Sequence, residues 1–480
     1  MRKTKIICTI GPACSDEETL TKMCLSGMNV ARLNFSHGCH EEHREKIKLI
    51  RRVREKLGLP IAVMLDTKGP ECRIKTFRNK KISLREGDSF VFTTDDIVGD
   101  ETRVAVSYKN LAREMEPGDS ILVNNGLVVF RVERTEGSSV YCTVVNGGEL
   151  SDRKSMSFPG RLLKQTFLSE QDKADLLFGI ENDVDFVAAS FVSCKRDAED
   201  MRRFLDENGG SDINLIAKIE NRAGVDNIDE ICEVADGIMV ARGDLGVEIP
   251  YVEVPSVQKY LIRKCRLLGK RVITATEMLE SMIYNVRPTR AEVSDVANAV
   301  YDGSSAIMLS GETAAGKYPA EAVKSMADIA EFTEKRIDYR KMFYSEEFKI
   351  KNNLDAISHA VCSMAIDVNA KCIVVNSKTG KTARMVSRFR GPIDIIGMTT
   401  NEKAWRQLNM SWAVLPVLCR QYPSLDVVFY NSLNVAAEAL KLRKGDNVVI
   451  TGGPITGGSG NTNTIKVETV QEDACGGDRK

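Results

Sequence analysis

The sequence predicts a (β/α)8 TIM barrel carrying an inserted β-rich lid domain and followed by a C-terminal α/β domain. Three observations carry this. Through the first 340 residues one unit recurs: a short apolar strand, a polar residue at its C-terminal end, a Gly- or Pro-marked loop, then a segment of helical period. One long interval, between Asp66 and Asp185, holds hairpin signals in place of a helix. Beyond about Tyr344, strands and helices alternate afresh.

The expected barrel strands are 5–10, 29–33, 61–65, 185–189, 214–219, 237–241, 271–275 and 306–309. Each is apolar or β-branched along most of its length, as strands buried on both faces should be. Helical segments separate them. Ser15-Asp16-Glu17-Glu18 reads as a capping box opening the first. Ile47, Leu49, Ile50 and Val53 stand among charges in 43–56, and Ser169-Glu170-Gln171-Asp172 offers a second Ser cap with an acidic first turn. Eight such units close a barrel.

The insertion is marked by Arg85-Glu86-Gly87-Asp88, Glu116-Pro117-Gly118-Asp119, Asn124-Asn125-Gly126 and Glu136-Gly137-Ser138, with alternating Val, Phe, Tyr and Thr runs between them. Emerging after the third strand, it should stand over the C-terminal mouth as a lid. The expected division is 1–70 and 158–343 for the barrel, 71–157 for the lid and 344–480 for the C-terminal domain. In that last domain, helices are expected at 354–369, 382–388 and 402–408, and strands at 371–375, 393–397, 448–450 and 464–470.

The bulk composition narrows function by exclusion. The 480 residues are 43% hydrophobic, 28% charged and 6% aromatic, an ordinary α/β globular mixture. Lys plus Arg equals Asp plus Glu at 67 each, so no net field recruits nucleic acid or an anionic membrane. Thirteen scattered cysteines form no Cys-x-x-Cys pair, and Cys8, Cys265 and Cys372 sit in apolar runs as small core hydrophobes. Unpatterned thiols imply a reducing compartment. No secretory leader and no apolar run near ~18 residues is found, so the expectation is a cytoplasmic protein.

Polar residues at the C-terminal ends of barrel strands converge on one mouth whatever their sequence separation. Here these are Arg32, Asn34, Asp66, Ser190, Lys218, Glu220, Arg242, Asp244, Thr276, Ser310 and Glu312. Glu220 and Asp244 supply hard oxygen ligands of the kind Mg²⁺ takes. Arg32, Lys218 and Arg242 supply cationic contacts. Lys218 and Glu220 alternate with Ile219 and share a face if the pleat continues. Carboxylates for a cation, facing Lys and Arg for an anion, form a toolkit for phosphoryl transfer. Arg242-Gly243-Asp244-Leu245-Gly246 reads as a strand-to-helix turn exposing backbone N–H groups to a carboxylate. Asn34, Ser36, Asp66 and Thr67 form an oxygen-only cluster with one negative charge, better matched to a monovalent cation than to Mg²⁺.

Several motifs then carry a resemblance. Ile7-Cys8-Thr9-Ile10-Gly11-Pro12, Ala31-Arg32-Leu33-Asn34-Phe35-Ser36-His37-Gly38, Leu65-Asp66-Thr67-Lys68-Gly69-Pro70-Glu71, Ala217-Lys218-Ile219-Glu220-Asn221, Arg242-Gly243-Asp244-Leu245-Gly246 and Met308-Leu309-Ser310-Gly311-Glu312-Thr313 resemble the pyruvate kinase signatures in order and spacing, from one end of the barrel to the other. The insertion and the C-terminal domain resemble that family's layout as well.

The resemblance implies transfer of the phosphoryl group of phosphoenolpyruvate to ADP, giving pyruvate and ATP. It makes Lys218 the transition-state stabiliser, Glu220 and Asp244 the ligands of Mg²⁺ (or Mn²⁺), and Arg32 a phosphate contact. Gly243, Asp244 and Thr276 become the carboxylate site, with Thr276 also on the route of the proton to the enolate. Asn34, Ser36, Asp66 and Thr67 become a K⁺ site, and Glu71 implies K⁺ dependence. Nucleotide contacts fall to Asn34, His37, Arg73 and Lys154.

Ser377-Lys378-Thr379-Gly380-Lys381-Thr382 fails the P-loop pattern, because Val375 stands where its upstream Gly is required. The resemblance makes it a sugar-phosphate effector loop, completed by a late Gly-rich segment at 451–464. It also implies a homotetramer. Glu277, Cys72 and 155–157 depart from the family pattern. His37, His40 and His43 are read as a helix start, not as a zinc site. A barrel lyase gripping the same enolate and a non-catalytic phosphometabolite sensor are the competing readings.

Overall fold

The computed structural model describes residues 1–453 and 461–471. Lys5–Thr9, Val30–Asn34, Ala62–Asp66, Phe186–Ala189, Asn214–Ile219, Gly237–Ala241, Arg271–Ala275 and Ala306–Leu309 pair in parallel, each with the next, and the last closes on the first. These are the expected eight strands, four of them with unchanged bounds. The barrel therefore has no sheet edge.

Side chains alternate across this wall, as the pleat demands. Ile7, Val30, Met64, Phe186, Ala188, Ile216, Met239, Ile273 and Met308 fill the interior. Ile6, Cys8, Ala31, Leu65, Ala217 and Ile219 face the surrounding helices. Extending the inward row by one pleat at the C-terminal end turns it polar: Val30 leads to Arg32, Met64 to Asp66, Ile216 to Lys218 and then Glu220. The mouth is the top layer of the core, rewritten in charged residues.

Helix starts follow the sequence with one correction. Ser169 is the expected cap of helix Glu170–Glu181, and with Asp172 it closes a full capping box. In helix Glu17–Ser26, however, Asp16 is the cap, accepting from Thr19 N–H, while the Ser15 hydroxyl donates back to the Gly11 carbonyl. The 3-10 turn Pro12–Cys14 sets the chain one residue later than the capping-box spacing assumes.

The insertion is a seven-stranded sheet ordered Cys72–Arg73, Ser155–Ser157, Ser120–Val123, Val128–Glu136, Ser139–Asn146, Ser89–Thr93, Arg103–Ala105, with Gly148–Ser151 and Lys81–Leu84 forming a separate pair. Gly87, Gly118, Gly126 and Gly137, singled out as turn residues, all take positive φ. Phe90, Phe92 and Phe130 pack edge-on at its centre. The Glu248 carboxylate accepts from Phe158 N–H at 3.2 Å and ties this domain to the barrel.

In the C-terminal domain a five-stranded sheet runs Val414–Leu418, Asp394–Thr399, Cys372–Asn376, Asn447–Gly452, Thr464–Thr469, the last strand antiparallel. Strand Val414–Leu418 and helix Leu425–Leu440 were not anticipated. Pro416 inside the first and the Gln421-Tyr422-Pro423 stretch before the second obscure their periods. The domain docks on the N-terminal end of the barrel. Arg406 pairs with Asp185 and Asp183 at 2.7 Å each, and the Asn409 amide donates to the Asn29 and Pro60 carbonyls. Met410 reaches in among the interior residues of the barrel. Part of the expected 451–464 segment (454–460) and the tail 474–480 lie outside the described residues. Among the described residues no helix is long and apolar enough to cross a membrane.

Candidate active site

Lys218 is the centre of the mouth. Its ammonium donates to the Ser190 hydroxyl at 2.7 Å and lies 3.1 Å from Asp66 Oδ1 and 3.0 Å from Glu220 Oε1. Arg32 approaches Asp66 from the other side, Nε to Oδ2 at 2.6 Å, and its Nη1 donates to the Thr9 hydroxyl at 2.8 Å. All four charged side chains are buried. Burial works against the Asp66 carboxylate, but Arg32 and Lys218 outweigh it and hold its pKa below the usual value. Burial also disfavours the Lys218 ammonium, but Asp66 and Glu220 raise its pKa, and it stays charged.

Glu220 differs from Asp66. Burial pushes its pKa up to about 8 against the pull of Lys218, with the Asp244 charge adding to the rise. Its Oε2 accepts from Phe191 N–H at 2.6 Å, whereas the buried Oε1 faces only the Lys218 ammonium, at 3.0 Å. Burial disfavours the charged carboxylate more than Lys218 alone offsets, and a further cation would recover that free energy. Asp244 is exposed beside it on the short helix Arg242–Glu248. No group of three or more His, Cys, Asp or Glu side chains able to hold a metal occurs among the described residues. Two carboxylates with open positions fit Mg²⁺, which retains waters and substrate oxygens.

Asn34 and Asp66 are register partners on adjacent strands. The Asn34 side-chain oxygen, Oδ1, accepts from Ser36 N–H at 3.1 Å, and Thr67, buried, accepts from Ser190 through its hydroxyl and its backbone oxygen. The four residues form one oxygen-lined loop pair. With the Asp66 charge already shared by two cations, this set fits a monovalent ion and not a divalent one.

On the far side of the mouth, Thr276 and Glu277 have φ of +69° and +53°. A β-branched residue in this region is strained and needs its surroundings to hold it there. Arg242 does so, donating to the Thr276 and Glu277 carbonyls at 2.6 and 3.0 Å while Asp295 fixes its other edge at 2.7 Å. The Thr276 hydroxyl accepts from Gly243 N–H at 2.8 Å, joining two of the three expected carboxylate-site residues. Arg242 is thus a brace and not a contact for substrate, and Glu312 is another, taking Leu279 and Ser310 N–H. Strand-end position alone cannot separate braces from contacts.

Around the rim, Arg73 pairs with Glu71 at 2.7 Å and donates to the Arg153 carbonyl, so two residues the sequence treated separately form one unit below the lid. A cavity of about 300 Å³ opens there, bordered by Glu71, Ser157, Phe191, Asn221 and Asp244. His37 is exposed and Lys154 half-buried. His40 bonds Asp175, and His43 stacks on Phe35 with its Nε2 on the His37 carbonyl. The three histidines face different partners. Ser377–Thr382 belongs to the C-terminal domain, where the Thr382 hydroxyl meets that of Thr462 at 2.7 Å.

A closed parallel barrel with a buried lysine, paired carboxylates and a lidded cavity at its C-terminal mouth defines a (β/α)8 enzyme of the phosphotransferase class. Residues 1–323 match the family described as pyruvate kinase, barrel domain, and residues 355–468 match pyruvate kinase, alpha/beta domain. The chain is 47% identical to the pyruvate kinase of Clostridium acetobutylicum over 473 residues, 98% of this chain and 100% of the relative. Against that of Staphylococcus aureus strain MRSA252 it is 45% identical over 480 residues, 99% of this chain and 82% of the relative. The crystal structure of a pyruvate kinase from Cryptosporidium parvum superposes with a TM-score of 0.93 at 38% identity, covering 98% of this chain and 96% of that one. The chain belongs to the pyruvate kinase family.

Proposed function

We propose that this enzyme transfers the phosphoryl group of phosphoenolpyruvate to ADP, giving pyruvate and ATP, with Lys218 stabilising the transferring group. The observation that carries the assignment is the buried Lys218 ammonium, fixed by Ser190, Asp66 and Glu220 at the centre of the mouth. A preorganised cation in a water-poor site needs no reorganisation as charge develops on the phosphoryl oxygens and the enolate.

Arg32 has Nε and Nη1 engaged by Asp66 and Thr9, which leaves its Nη2 edge for phosphate. Gly243, Asp244 and Thr276 orient the substrate carboxylate. The Thr276 hydroxyl, on its strained turn, stands on the route by which a proton reaches the enolate carbon. Asn34, His37, Arg73 and Lys154 hold the nucleotide, the last two from the lid side.

Glu220 and Asp244 would hold Mg²⁺ or Mn²⁺, and Asn34, Ser36, Asp66 and Thr67 would hold K⁺. When bound, these ions would supply positive charge that offsets the negative charge of the substrates and of the developing enolate. In the C-terminal domain, Ser377, Lys378, Thr379, Gly380, Lys381 and Thr382 are the candidate loop for a sugar-phosphate activator. A cytoplasmic homotetramer completes the reading.

The deciding assay couples ATP formation from phosphoenolpyruvate and ADP to a luminescent readout, with Mg²⁺ and K⁺ each present and absent. ATP in the complete mixture is the expected result. No ATP in any mixture would overturn the assignment.

A further inference from the structure

Far from the mouth, a cavity of about 940 Å³ lies in the seam between the barrel and the C-terminal domain. Its barrel wall comes from helices Ile228–Val234 and Val254–Leu268 and from Lys270, which opens the strand Arg271–Ala275. Its other wall comes from the segment before helix Asn353–Asp367 and from helix Lys381–Ser387. The volume is that of a small-molecule site.

The charge of this cavity is out of balance. Seven Lys and Arg side chains line it against three carboxylates. Two of those carboxylates are already engaged, Asp229 by Lys264 at 2.7 Å and Asp355 by Arg388 at 3.4 Å. Lys349, Lys351 and Lys381 have no carboxylate partner among the described residues, and Lys270 has only the Ala235 carbonyl.

A second observation comes from below the floor. Arg388 is only 5% exposed, yet its Nε and Nη2 have no hydrogen-bond partner. Behind it a void of about 10 Å³ is lined by Arg266, Arg271, Arg384 and Arg390 as well. Burial, with Arg384 beside it, drives the Arg271 pKa well below its ordinary value, and burial with Arg266 brings Arg390 to about 9. Buried charge is normally met by a counter-charge. Glu346 meets Arg266 at 2.7 Å and Asp236 meets Arg384 at 3.1 Å, but Arg271 and Arg390 have no ion-pair partner among the described residues and Arg388 keeps two unpartnered nitrogens.

We propose that this seam binds a small phosphorylated metabolite, its phosphate held by Lys349, Lys351 and Lys381 over the Arg384–Arg388 floor. A phosphate dianion matches the charge excess better than a single carboxylate, and Arg and Lys donors suit its oxygens. A cleft of about 940 Å³ is of the size that takes a small molecule. The site shares Lys381 with the candidate effector loop but takes its other cations, Lys349, Lys351, Arg384 and Arg388, from elsewhere, and the hydroxyls of Ser377 and Thr379 do not line it. Lys270 and Thr276 flank the same strand, so an occupant touching Lys270 has a direct connection to the mouth.

The test is isothermal titration of the full chain with inorganic phosphate, a hexose monophosphate and a nucleoside monophosphate. Two variants are compared with wild type: Lys349→Glu with Lys351→Glu, both exposed positions, and Ser377→Ala with Thr379→Ala. The expected result is at least one probe whose Kd weakens 10-fold or more in the lysine variant and less than 2-fold in the loop variant, with the melting temperature of the lysine variant unchanged. Tighter binding of the hexose or the nucleoside compound over phosphate identifies the organic part. Binding that the lysine variant leaves unchanged, binding lost only in the loop variant, or no binding of any probe would overturn the proposal.

Discussion

The Lys218 ammonium stands 3.0 Å from Glu220 Oε1, both side chains leaving the inward face of strand Asn214–Ile219 and its first residue beyond. The spacing of two is the pleat itself. One buried row delivers the cation for the transferring group and the carboxylate for the metal, with no loop between them to blur their separation.

Replacing Lys218 with Met keeps the length of the stem and removes the charge. The expected outcome is a fall in kcat of about 10³-fold or more, with KM for phosphoenolpyruvate and Mn²⁺ binding, followed by electron paramagnetic resonance, within a few-fold of wild type. Loss of substrate binding instead would mean that the role of Lys218 is misassigned.

Activity should depend on K⁺. Asn34, Ser36, Asp66 and Thr67 present oxygens only, and Glu71 is bound to Arg73 and brings no ammonium to the site. Assayed in tetramethylammonium salts, the enzyme should lose most of its rate and recover it on addition of K⁺. Full activity without K⁺ would sink this reading.

Gly69 sits at φ +71°, and a Cβ there would come within 2.9 Å of the Ser190 Cβ. Ser190 in turn bonds Lys218. Gly69→Ala combines a left-handed backbone, which costs an L residue about 1–2 kcal/mol, with a push on the residue that aims the ammonium. A drop in kcat of roughly 10-fold or more is expected, since small misplacement at a reacting centre is costly. Unchanged kcat would mean that Ser190 does not aim Lys218.

His43 carries an acid sensitivity. Its Nε2–H donates to the His37 carbonyl, its Nδ1 is buried without a partner, and burial lowers its pKa to about 4 from 6.5. The folded value lies below the unfolded one, so the native state binds fewer protons. Stability is complete above about pH 6.5 and declines as pH falls towards 4, by up to about 3 kcal/mol. Urea melts of wild type and His43→Gln across this window should converge as pH falls. A parallel pair of curves would show that His43 is not the sensor.

Arg406→Met leaves Asp185, fully buried, without its guanidinium. Breaking such a pair typically costs about 3–5 kcal/mol. Because the contact joins two domains, calorimetry should show the C-terminal domain melting ahead of the barrel. A single unshifted transition would contradict this.

Much of this was legible in the residues. Barrel strands buried on both faces leave continuous apolar runs, and the polar residue ending each run marks the mouth, so Arg32, Asp66, Lys218 and Glu220 could be named in advance. Their sorting was not legible. Arg242 and Glu312 lie just past strand ends, whereas Lys218 is still within its strand, and they hold loops because a side chain's direction past the last ladder bond depends on the turn that follows. The Glu71–Arg73 pair was hidden likewise, since a spacing of two where a loop enters the short edge strand Cys72–Arg73 says nothing of which way each side chain turns. Strand Val414–Leu418 escaped because Pro416 is tolerated there only by virtue of its edge position, a tertiary fact.

Met410 belongs to the C-terminal domain by sequence but to the barrel interior by packing. It corks the column of side chains that ends, at the opposite opening, in Lys218. A barrel cut free of its partner would be left with an uncorked, water-facing apolar shaft. The two folds are therefore not interchangeable modules. A graft that exchanged the C-terminal domain for a foreign one would have to supply its own stopper of matching girth, and evolution of either half is constrained by the bore of the other.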